Sequence, residues 1–219
     1  MHKILLIVIQ FGVVLFAISV HESAHAWMAN KFGDSTAKDQ GRISLNPINH
    51  IDPIGTVIFP IMLALMGAPV FGWAKPVMVN PYNLRDPRRA NIFISAAGPG
   101  SNIIIAMVAV VVFFILKVFG FVDPIPLFYN THTNPGILAI ILFSLILINI
   151  FLAIFNLIPI PPLDGSGILE GLLRGEALYQ YQKIKPYGFI ILILIIYLGV
   201  LDKVAGPIIS IVRYILLRG

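Results

Sequence analysis

The chain has 219 residues, of which 58% are hydrophobic and only 11% are charged, and it contains no cysteine. Soluble globular proteins have about 45–50% apolar and about 25% charged residues, so this composition excludes that class and indicates a polytopic membrane protein. The lack of cysteine excludes disulfides and thiolate ligands, which leaves histidine and carboxylates for any zinc site. The net charge of +5 lies in short loops between apolar runs. It therefore predicts the orientation of membrane spans rather than binding to nucleic acid.

The first predicted helix runs from about Ile4 to Asn30 and stops near Gly33. Its weakly basic start and the tripeptide Ala24-His25-Ala26 resemble a secretory signal with a cleavage site. The apolar run is longer than the usual core of such a signal, and the supposed cleavage region contains a candidate metal-binding motif. We therefore expect a helix that stays in the protein.

The run from His21 to His25 reads His-Glu-Ser-Ala-His and matches the pattern HExxH. Residues four apart lie on the same face of a helix, so both imidazoles can bind one zinc ion while Glu22 acts as a base toward water. The pattern fixes only three residues and also arises by chance, and a polar cap at the end of the helix is the alternative. Ionisable side chains within a membrane span are costly and usually functional, which favours the zinc site.

The next apolar run, Ile54 to Val70, is short and is interrupted by two glycines and two prolines. These interruptions predict a segment that enters the membrane and returns on the same side. The stretch from Phe71 to Asn80 is rich in proline and valine, and we expect it to be extended. Such a segment could bind an unwound substrate by strand addition, although a plain loop is an equal alternative.

Two long apolar spans follow, Ala90 to Phe119 and Gly136 to about Leu157. The second ends in a proline-rich run that contains Asp164, and three prolines there cannot continue a regular helix. The remaining predicted elements are a short helical piece at Ile168–Leu173, another span at Tyr187–Leu201, and an apolar run at Ile208–Leu217 that is too short to cross alone.

These elements predict an all-α polytopic membrane protein. We expect a single membrane-embedded domain over residues 1–219, with a three-helix catalytic core at about residues 4–173, a re-entrant and extended segment within it, and C-terminal helices at about residues 187–217. No large polar block separates a second domain.

A catalytic zinc ion usually has three protein ligands and one open position, so one ligand remains to be found. The candidates are His2, His50, His132 and the acidic residues. Asp164 is favoured because irregular backbone at membrane depth is tolerated only where it is buried in protein or lines a water-filled cavity. The alternative is an ordinary aspartate in an Asp-Gly turn.

The pairing of HExxH with Asp164 makes a prediction about topology. Both lie at the C-terminal ends of their helices, so the first helix and the Gly136 helix must run in the same direction. The chain between them must then cross an odd number of times, which requires the Ile54–Val70 segment to be re-entrant. This arrangement puts ten basic residues on the side of the site: Lys31, Lys38, Arg42, Lys75, Arg85, Arg88, Arg89, Arg174, Lys183 and Lys185. Only Lys3 and Lys117 fall on the other side, so the site is predicted to face the cytoplasm.

The residues resemble a known family, the site-2 proteases, in its short prokaryotic branch without PDZ or CBS domains. The motifs occur in the family's order: the HExxH run, Gly98-Pro99-Gly100-Ser101-Asn102, and the proline-rich run from Asn156 to Gly165. The stretches Gly41–His50 and Phe71–Asn80 also look like those of this branch. Together these stretches cover most of residues 20–170.

The resemblance implies an intramembrane zinc metalloprotease that cuts the transmembrane segments of other proteins in a lipid bilayer. It implies zinc ligation by His21, His25 and Asp164, with Glu22 as the catalytic base. Asn102 and Asn156 would position the substrate or the attacking water. Asn102 could instead only join neighbouring helices, and His50 could either reach the site or satisfy nearby backbone.

The alternative is a catalytically inactive zinc-binding membrane protein or a metal transporter. A transporter should show ligands along a path and often an inverted repeat, and the sequence shows neither. An inactive relative would be expected to lose the base, yet Glu22 is present. The expected location is a prokaryotic cytoplasmic membrane.

Overall fold

The computed structural model describes residues 2–67, 72–129 and 136–218, and the regular structure in these ranges is helical. The α-helices are α1 His2–Lys31, α2 Thr36–Asp39, α3 Phe59–Leu65, α4 Pro87–Val118, α5 Ile125–Phe128, α6 Ile137–Asn156, α7 Asp164–Leu172, α8 Gly175–Ile184, α9 Gly188–Tyr197 and α10 Val200–Arg218. A π-helix at Pro53–Ile58 precedes α3, and single 3₁₀ turns lie at Pro47–Asn49, Pro81–Asn83 and Lys185–Tyr187.

Three helices, α1, α4 and α6, are long and apolar enough to cross a membrane. A crossing needs about 20 apolar residues at about 1.5 Å each, and these helices supply 28, 32 and 20 residues. Helix α4 begins at Pro87, three residues before the predicted start. The side chain of Asp86 accepts a hydrogen bond from the Arg89 amide, and proline in the first turn needs no hydrogen-bond partner, so these two residues explain the earlier start.

Helix α4 runs antiparallel to both of its long neighbours. His25 of α1 contacts Ile94 of α4, whereas Ala17, two turns earlier in α1, contacts Asn102. Asn102 also contacts Asn149 in the second half of α6, whereas Phe113, three turns later in α4, lies in one cluster with Ala139 at the start of α6. Helices α1 and α6 therefore run in the same direction, as the shared metal site predicts. A buried apolar cluster fills the opposite half of the bundle: Ala109, Phe113, Val122, Ala139, Leu142, Ile146, Val212 and Leu216.

The segment between α1 and α4 begins and ends on the same side of the bundle. The π-helix and α3 have six and seven residues, too few to cross a bilayer. The Trp73 amide donates to the Gly55 carbonyl over 3.1 Å, and the Thr56 hydroxyl donates to the Trp73 carbonyl over 2.8 Å. This geometry agrees with the re-entrant prediction, although the predicted limits Val70 and Phe71 lie outside the described residues.

Residues 72–80 form no helix, in agreement with the non-helical segment expected there, and two buried side chains hold them in place. The Arg42 guanidinium donates to the carbonyls of Asn49, Lys75 and Pro76. The carboxylate of Asp34, just beyond α1, accepts a hydrogen bond from the Asn80 amide over 2.7 Å. Both ends of the extended segment are thus tied to the loop that follows α1.

The C-terminal region differs from the prediction. The expected span at Tyr187–Leu201 is only the ten-residue α9, whose length of about 15 Å is half of a hydrocarbon core. Gly199 has a φ of 66° and separates α9 from α10, a nineteen-residue helix that replaces the short run expected at Ile208–Leu217. Helix α8 was not predicted, because its sequence is polar and its residues are not buried.

Candidate metal centre

The two histidines of HExxH converge with Asp164, as predicted from the sequence. His21 and His25 are each 7% exposed, and their Nε2 atoms lie 3.0 Å apart. The Oδ2 atom of Asp164 is 3.1 Å from Nε2 of His21, and its Oδ1 atom is 3.3 Å from Nε2 of His25. One donor atom from each residue lies within 4.8 Å of the others, so the three side chains could hold one metal ion.

The outer ring nitrogens show that this cluster fits a cation. Nδ1 of His21 lies 2.6 Å from Oδ1 of Asn102, and Nδ1 of His25 lies 2.6 Å from the carbonyl oxygen of Ile94. Oxygen accepts in both contacts, so both Nδ1 atoms carry a proton, and in the neutral rings Nε2 is the nitrogen that keeps a lone pair. Both Nε2 atoms then direct lone pairs toward each other and toward the carboxylate. A metal ion stabilises this arrangement of electron pairs.

Gly98 leaves room for the ion. A Cβ built at this position of α4 would be only 2.6 Å from Nε2 of His21 and would also collide with Nε2 of His25. Such distances are well below van der Waals contact, so any side chain would fill the space into which the donor atoms point. By contrast, a Cβ at Gly100 on the same helix would meet no atom within 4 Å.

Asp164 is placed by the packing of α7 against the start of α4. A Cβ at Gly167 or at Gly171 would collide with Ser95 or Ile92, so small residues four apart allow close approach of the two helices. The Arg88 guanidinium donates to the last carbonyls of α7, those of Gly171 and Leu172, over 2.8 and 3.0 Å. Helix α7 begins four residues before the start predicted at Ile168, so Asp164 lies in its first turn.

Glu22 lies partly buried on the wall of a cavity of about 700 Å³, beside His21, His25 and Asp164. The rest of the wall is largely apolar and comes from α1, α6, α9 and the extended segment. These lining residues include Ile18, Trp73, Val77, Leu152, Phe155, Phe189, Leu192 and Ile196. The arrangement puts a carboxylate base and three metal donors at one side of a space suited to an apolar polypeptide.

The charge of Glu22 also acts on Arg42. Burial lowers the pKa of the Arg42 guanidinium, and the Glu22 carboxylate acts in the opposite direction. At the other end of the extended segment, burial raises the pKa of Asp34, but hydrogen bonds from Thr36, Asn83 and Asn80 outweigh it and leave that pKa below its ordinary value. Both charged groups therefore stay ionised near neutral pH.

The other predicted site residues occupy different environments. Asn102 is fully buried behind His21, away from the cavity, whereas Asn156 lines the cavity and donates to the Leu152 carbonyl. His50 is 2% exposed, and its Nε2 lies 2.7 Å from the Ser44 carbonyl oxygen, outside the cavity lining. The alternative ligand His132 lies outside the described residues, and the side chain of His2 is not described.

Sequence reasoning missed Asn149 and the role of Gly98. Asn149 is fully buried in α6 and does not line the cavity, but its side-chain oxygen accepts a hydrogen bond from Asn102. An asparagine in the middle of an apolar span was a usable signal, because polar groups there need a partner.

The sequence model of peptidase family M50 matches residues 9–198. The chain belongs to peptidase family M50. This membership confirms the resemblance to the site-2 proteases that the motifs predicted, and the three apolar helices make this M50 peptidase an integral membrane protein.

Relatives and a solved structure are similar to this M50 chain over most of its length. YwhC of Bacillus subtilis, described as a candidate zinc metalloprotease, is 38% identical over 183 residues, which are 83% of this chain and 77% of YwhC. Rip2 of Mycolicibacterium smegmatis, described in the same way, is 27% identical over 86% of this chain and 66% of its own length. The site-2 protease from Methanocaldococcus jannaschii matches with a TM-score of 0.48 and 23% identity, covering 95% of this chain and 74% of that one.

Proposed function

We propose that this M50 peptidase is an intramembrane zinc endopeptidase. It hydrolyses peptide bonds in or near the transmembrane segments of membrane-anchored proteins, the reaction of regulated intramembrane proteolysis. The observation that carries the proposal is the convergence of His21, His25 and Asp164 beside Glu22, on the wall of an apolar cavity. The two Nε2 atoms and the Asp164 carboxylate would hold the zinc ion.

Zinc, when bound, supplies a Lewis acid that polarises a carbonyl and lowers the pKa of water to about 7. Glu22 accepts the proton of the attacking water as its oxygen forms a bond to the peptide carbon. The same carboxylate then gives that proton to the amide nitrogen as the carbon–nitrogen bond breaks. The products are a carboxylic acid and an amine, between which the second proton of the water is exchanged to give a carboxylate and an ammonium group, and Glu22 returns to its starting state.

The substrate must expose a peptide bond that a transmembrane helix hides in its own hydrogen bonds. Residues 72–75 support binding in an extended form. Trp73 and Lys75 bond to the loop and π-helix behind them. In a strand-like conformation the backbone groups of the intervening Ala74 would point in the opposite direction, and Ala74 lines the cavity beside Glu22, so these groups would be open to an unwound substrate. Strand addition by the unwound substrate remains the hypothesis drawn from the sequence.

The site would face the cytoplasm of a prokaryotic cell. The basic loops that hold Lys31, Arg42, Lys75 and Arg88 all lie at the end of the bundle that contains the metal centre. An excess of lysine and arginine marks cytoplasmic loops, which supports this orientation.

The proposal is tested with the purified protein in detergent, zinc and a candidate transmembrane substrate. Glu22→Gln should reduce cleavage by about 10²- to 10⁴-fold, because the base is lost, while the zinc content is unchanged. Asp164→Ala should lose both cleavage and zinc. Glu176→Gln, which alters a carboxylate on the polar helix α8, is the matched control.

Equal cleavage by wild type and Glu22→Gln would overturn the assignment of the base. A wild-type protein that binds zinc but cleaves none of the transmembrane substrates tested would favour the inactive zinc-binding alternative. An unchanged zinc content in Asp164→Ala would show that another residue is the third ligand.

A further inference from the structure

A chain of three hydrogen bonds through two buried asparagines leads from the backbone of α6 to His21. The side-chain nitrogen of Asn149 donates to the Leu145 carbonyl over 2.8 Å. The side-chain nitrogen of Asn102 donates to Oδ1 of Asn149, also over 2.8 Å, and Oδ1 of Asn102 contacts Nδ1 of His21 at 2.6 Å. Both asparagines are fully buried, so water cannot replace either partner.

This chain has one consistent direction. A backbone carbonyl can only accept, so Asn149 must turn its NH₂ group toward Leu145 and its oxygen toward Asn102. Asn102 must then donate to that oxygen and present its own oxygen to His21. The Nδ1 atom of His21 consequently carries the proton, and Nε2 keeps a lone pair that points at Asp164. A second bond from Asn102 to the Ala17 carbonyl is longer, at 3.4 Å, and constrains the amide less.

We propose that Asn149 is a positioning residue of the metal centre, which acts through Asn102 to hold His21 in the tautomer that can bind metal at Nε2. The inference rests on the proposed function, because it takes His21 as a zinc ligand. Without Asn149, the amide of Asn102 can turn over and present NH₂ to Nδ1 of His21. The ring proton then moves to Nε2 and blocks the position that faces Asp164.

A simpler role for Asn149 is to join α6 to α4 by a polar contact. The two roles differ in what restores function. An aspartate at position 102 presents an oxygen to His21 whichever way it turns, so it no longer needs Asn149 to set its direction. It does not restore the contact between the helices.

The test measures zinc affinity of the purified protein by competition with a chelator. Asn149→Leu should bind zinc about tenfold more weakly than wild type, within the range found when outer partners of metal ligands are removed. Adding Asn102→Asp to Asn149→Leu should return the affinity toward the wild-type value. Equal zinc affinity of Asn149→Leu and wild type would overturn the inference, and so would a double variant no better than Asn149→Leu alone.

Ser144→Ala removes another buried polar group of α6 and serves as the control, with unfolding temperature in detergent as the check on folding. Asn149→Ala replaces Asn149→Leu if the larger side chain prevents folding. In zinc-free protein labelled with ¹⁵N-histidine, the His21 signals should report a proton on Nδ1 in wild type and a shift toward Nε2 in Asn149→Leu. An unchanged tautomer would contradict the inference.

The two proposals fail in different ways. A wild-type protein that binds no zinc would overturn the proposed function, while the NMR signals would still test the direction of the hydrogen-bond chain. A wild-type protein that binds zinc, with an Asn149→Leu variant that binds it equally well, would overturn only the role of Asn149.

Discussion

Two imidazoles on one helix face bind the same metal ion only when both inner nitrogens are free of protons. In this M50 peptidase, oxygen acceptors from α4 hold the protons of His21 and His25 on the outer nitrogens. Asp164 adds negative charge from a different helix at 3.1–3.3 Å. The candidate metal centre is therefore built by three helices, although two of its three donor side chains lie on one of them, beside Glu22.

A single methyl group at Gly98 should test the space for the ion. Gly98→Ala places a Cβ against Nε2 of both histidines, so we expect zinc affinity to fall by at least about tenfold. In a helix interior alanine has a helix propensity about 1 kcal/mol more favourable than that of glycine. The exchange should therefore not destabilise the fold through the backbone. Zinc affinity by chelator competition and unfolding temperature are the measurements.

Gly100→Ala is the matched control for Gly98→Ala. It makes the same chemical change two residues away on α4, where the new methyl group meets no atom within 4 Å. Zinc affinity should remain at the wild-type level in this variant. Equal affinities for Gly98→Ala and Gly100→Ala would show that the ion does not occupy the space next to Gly98.

At the scale of elements, α4 organises the site without supplying a ligand. Its Ile94 carbonyl accepts a hydrogen bond from His25, and its Asn102 side chain accepts one from His21. Its first turns pack on α7, which carries Asp164. The extended segment is a second organised element. Its carbonyls at Lys75 and Pro76 are held by the buried Arg42, which also lies within the electrostatic reach of Glu22.

Arg42→Lys should weaken substrate binding while leaving the metal in place. Lysine keeps the charge but lacks the planar fork that reaches the carbonyls of Asn49, Lys75 and Pro76 together. We expect the KM for a transmembrane substrate to rise by about tenfold, since each hydrogen bond from a charged donor contributes about 1.5–3 kcal/mol. Zinc content should not change.

Arg89→Lys makes the same exchange at an exposed position and should leave KM unaltered. A KM for Arg42→Lys equal to that of wild type would show that the extended segment does not bind the substrate. A loss of zinc in Arg42→Lys would instead give Arg42 a general structural role.

For the whole molecule, contacts at both ends of the bundle define its orientation. The Lys117 ammonium donates to the carbonyls of Leu216 and Leu217, so the end of α10 lies opposite the metal centre. The return to the end opposite the metal centre, which the sequence predicts for one span, is thus shared by α9 and α10. Arg213, beside Phe128, and Arg218 add basic charge to that end. The site end still has the larger set of basic loops.

Cysteine labelling can test the re-entrant segment, because the chain has no native cysteine. A cysteine introduced by Gly67→Cys should react with an impermeant maleimide from the site side or be protected by the bilayer. Tyr82→Cys, at a position 97% exposed, marks the site side, and Phe121→Cys, at a position 71% exposed, marks the opposite side. The re-entrant path would be contradicted if the reagent labelled Gly67→Cys only from the side from which it labels Phe121→Cys.

Much of the site was predictable from local patterns. HExxH on an apolar run, the proline break before Asp164 and the distribution of basic loops predicted the parallel α1 and α6 that the structure shows. The failures occurred where tertiary contacts outweigh local pattern. Helix α9 ends at Tyr197, after about half the thickness of a bilayer, because Gly199 adopts a positive φ that breaks the helix before α10 begins. His50 was a candidate site residue, but its ring bonds to its own loop.

The sequence alone determined that this chain is a membrane protein, which residue types could bind a metal ion, and which helix carries the HExxH motif. Composition and periodicity encode these properties directly, because they depend on residues near each other in the chain. Only the tertiary structure decided which groups contact the outer nitrogens of the histidines and what surrounds Asn149 and Gly98. Those depend on contacts between helices more than 45 residues apart, such as Asn102 with Asn149 and His21 with Asn102.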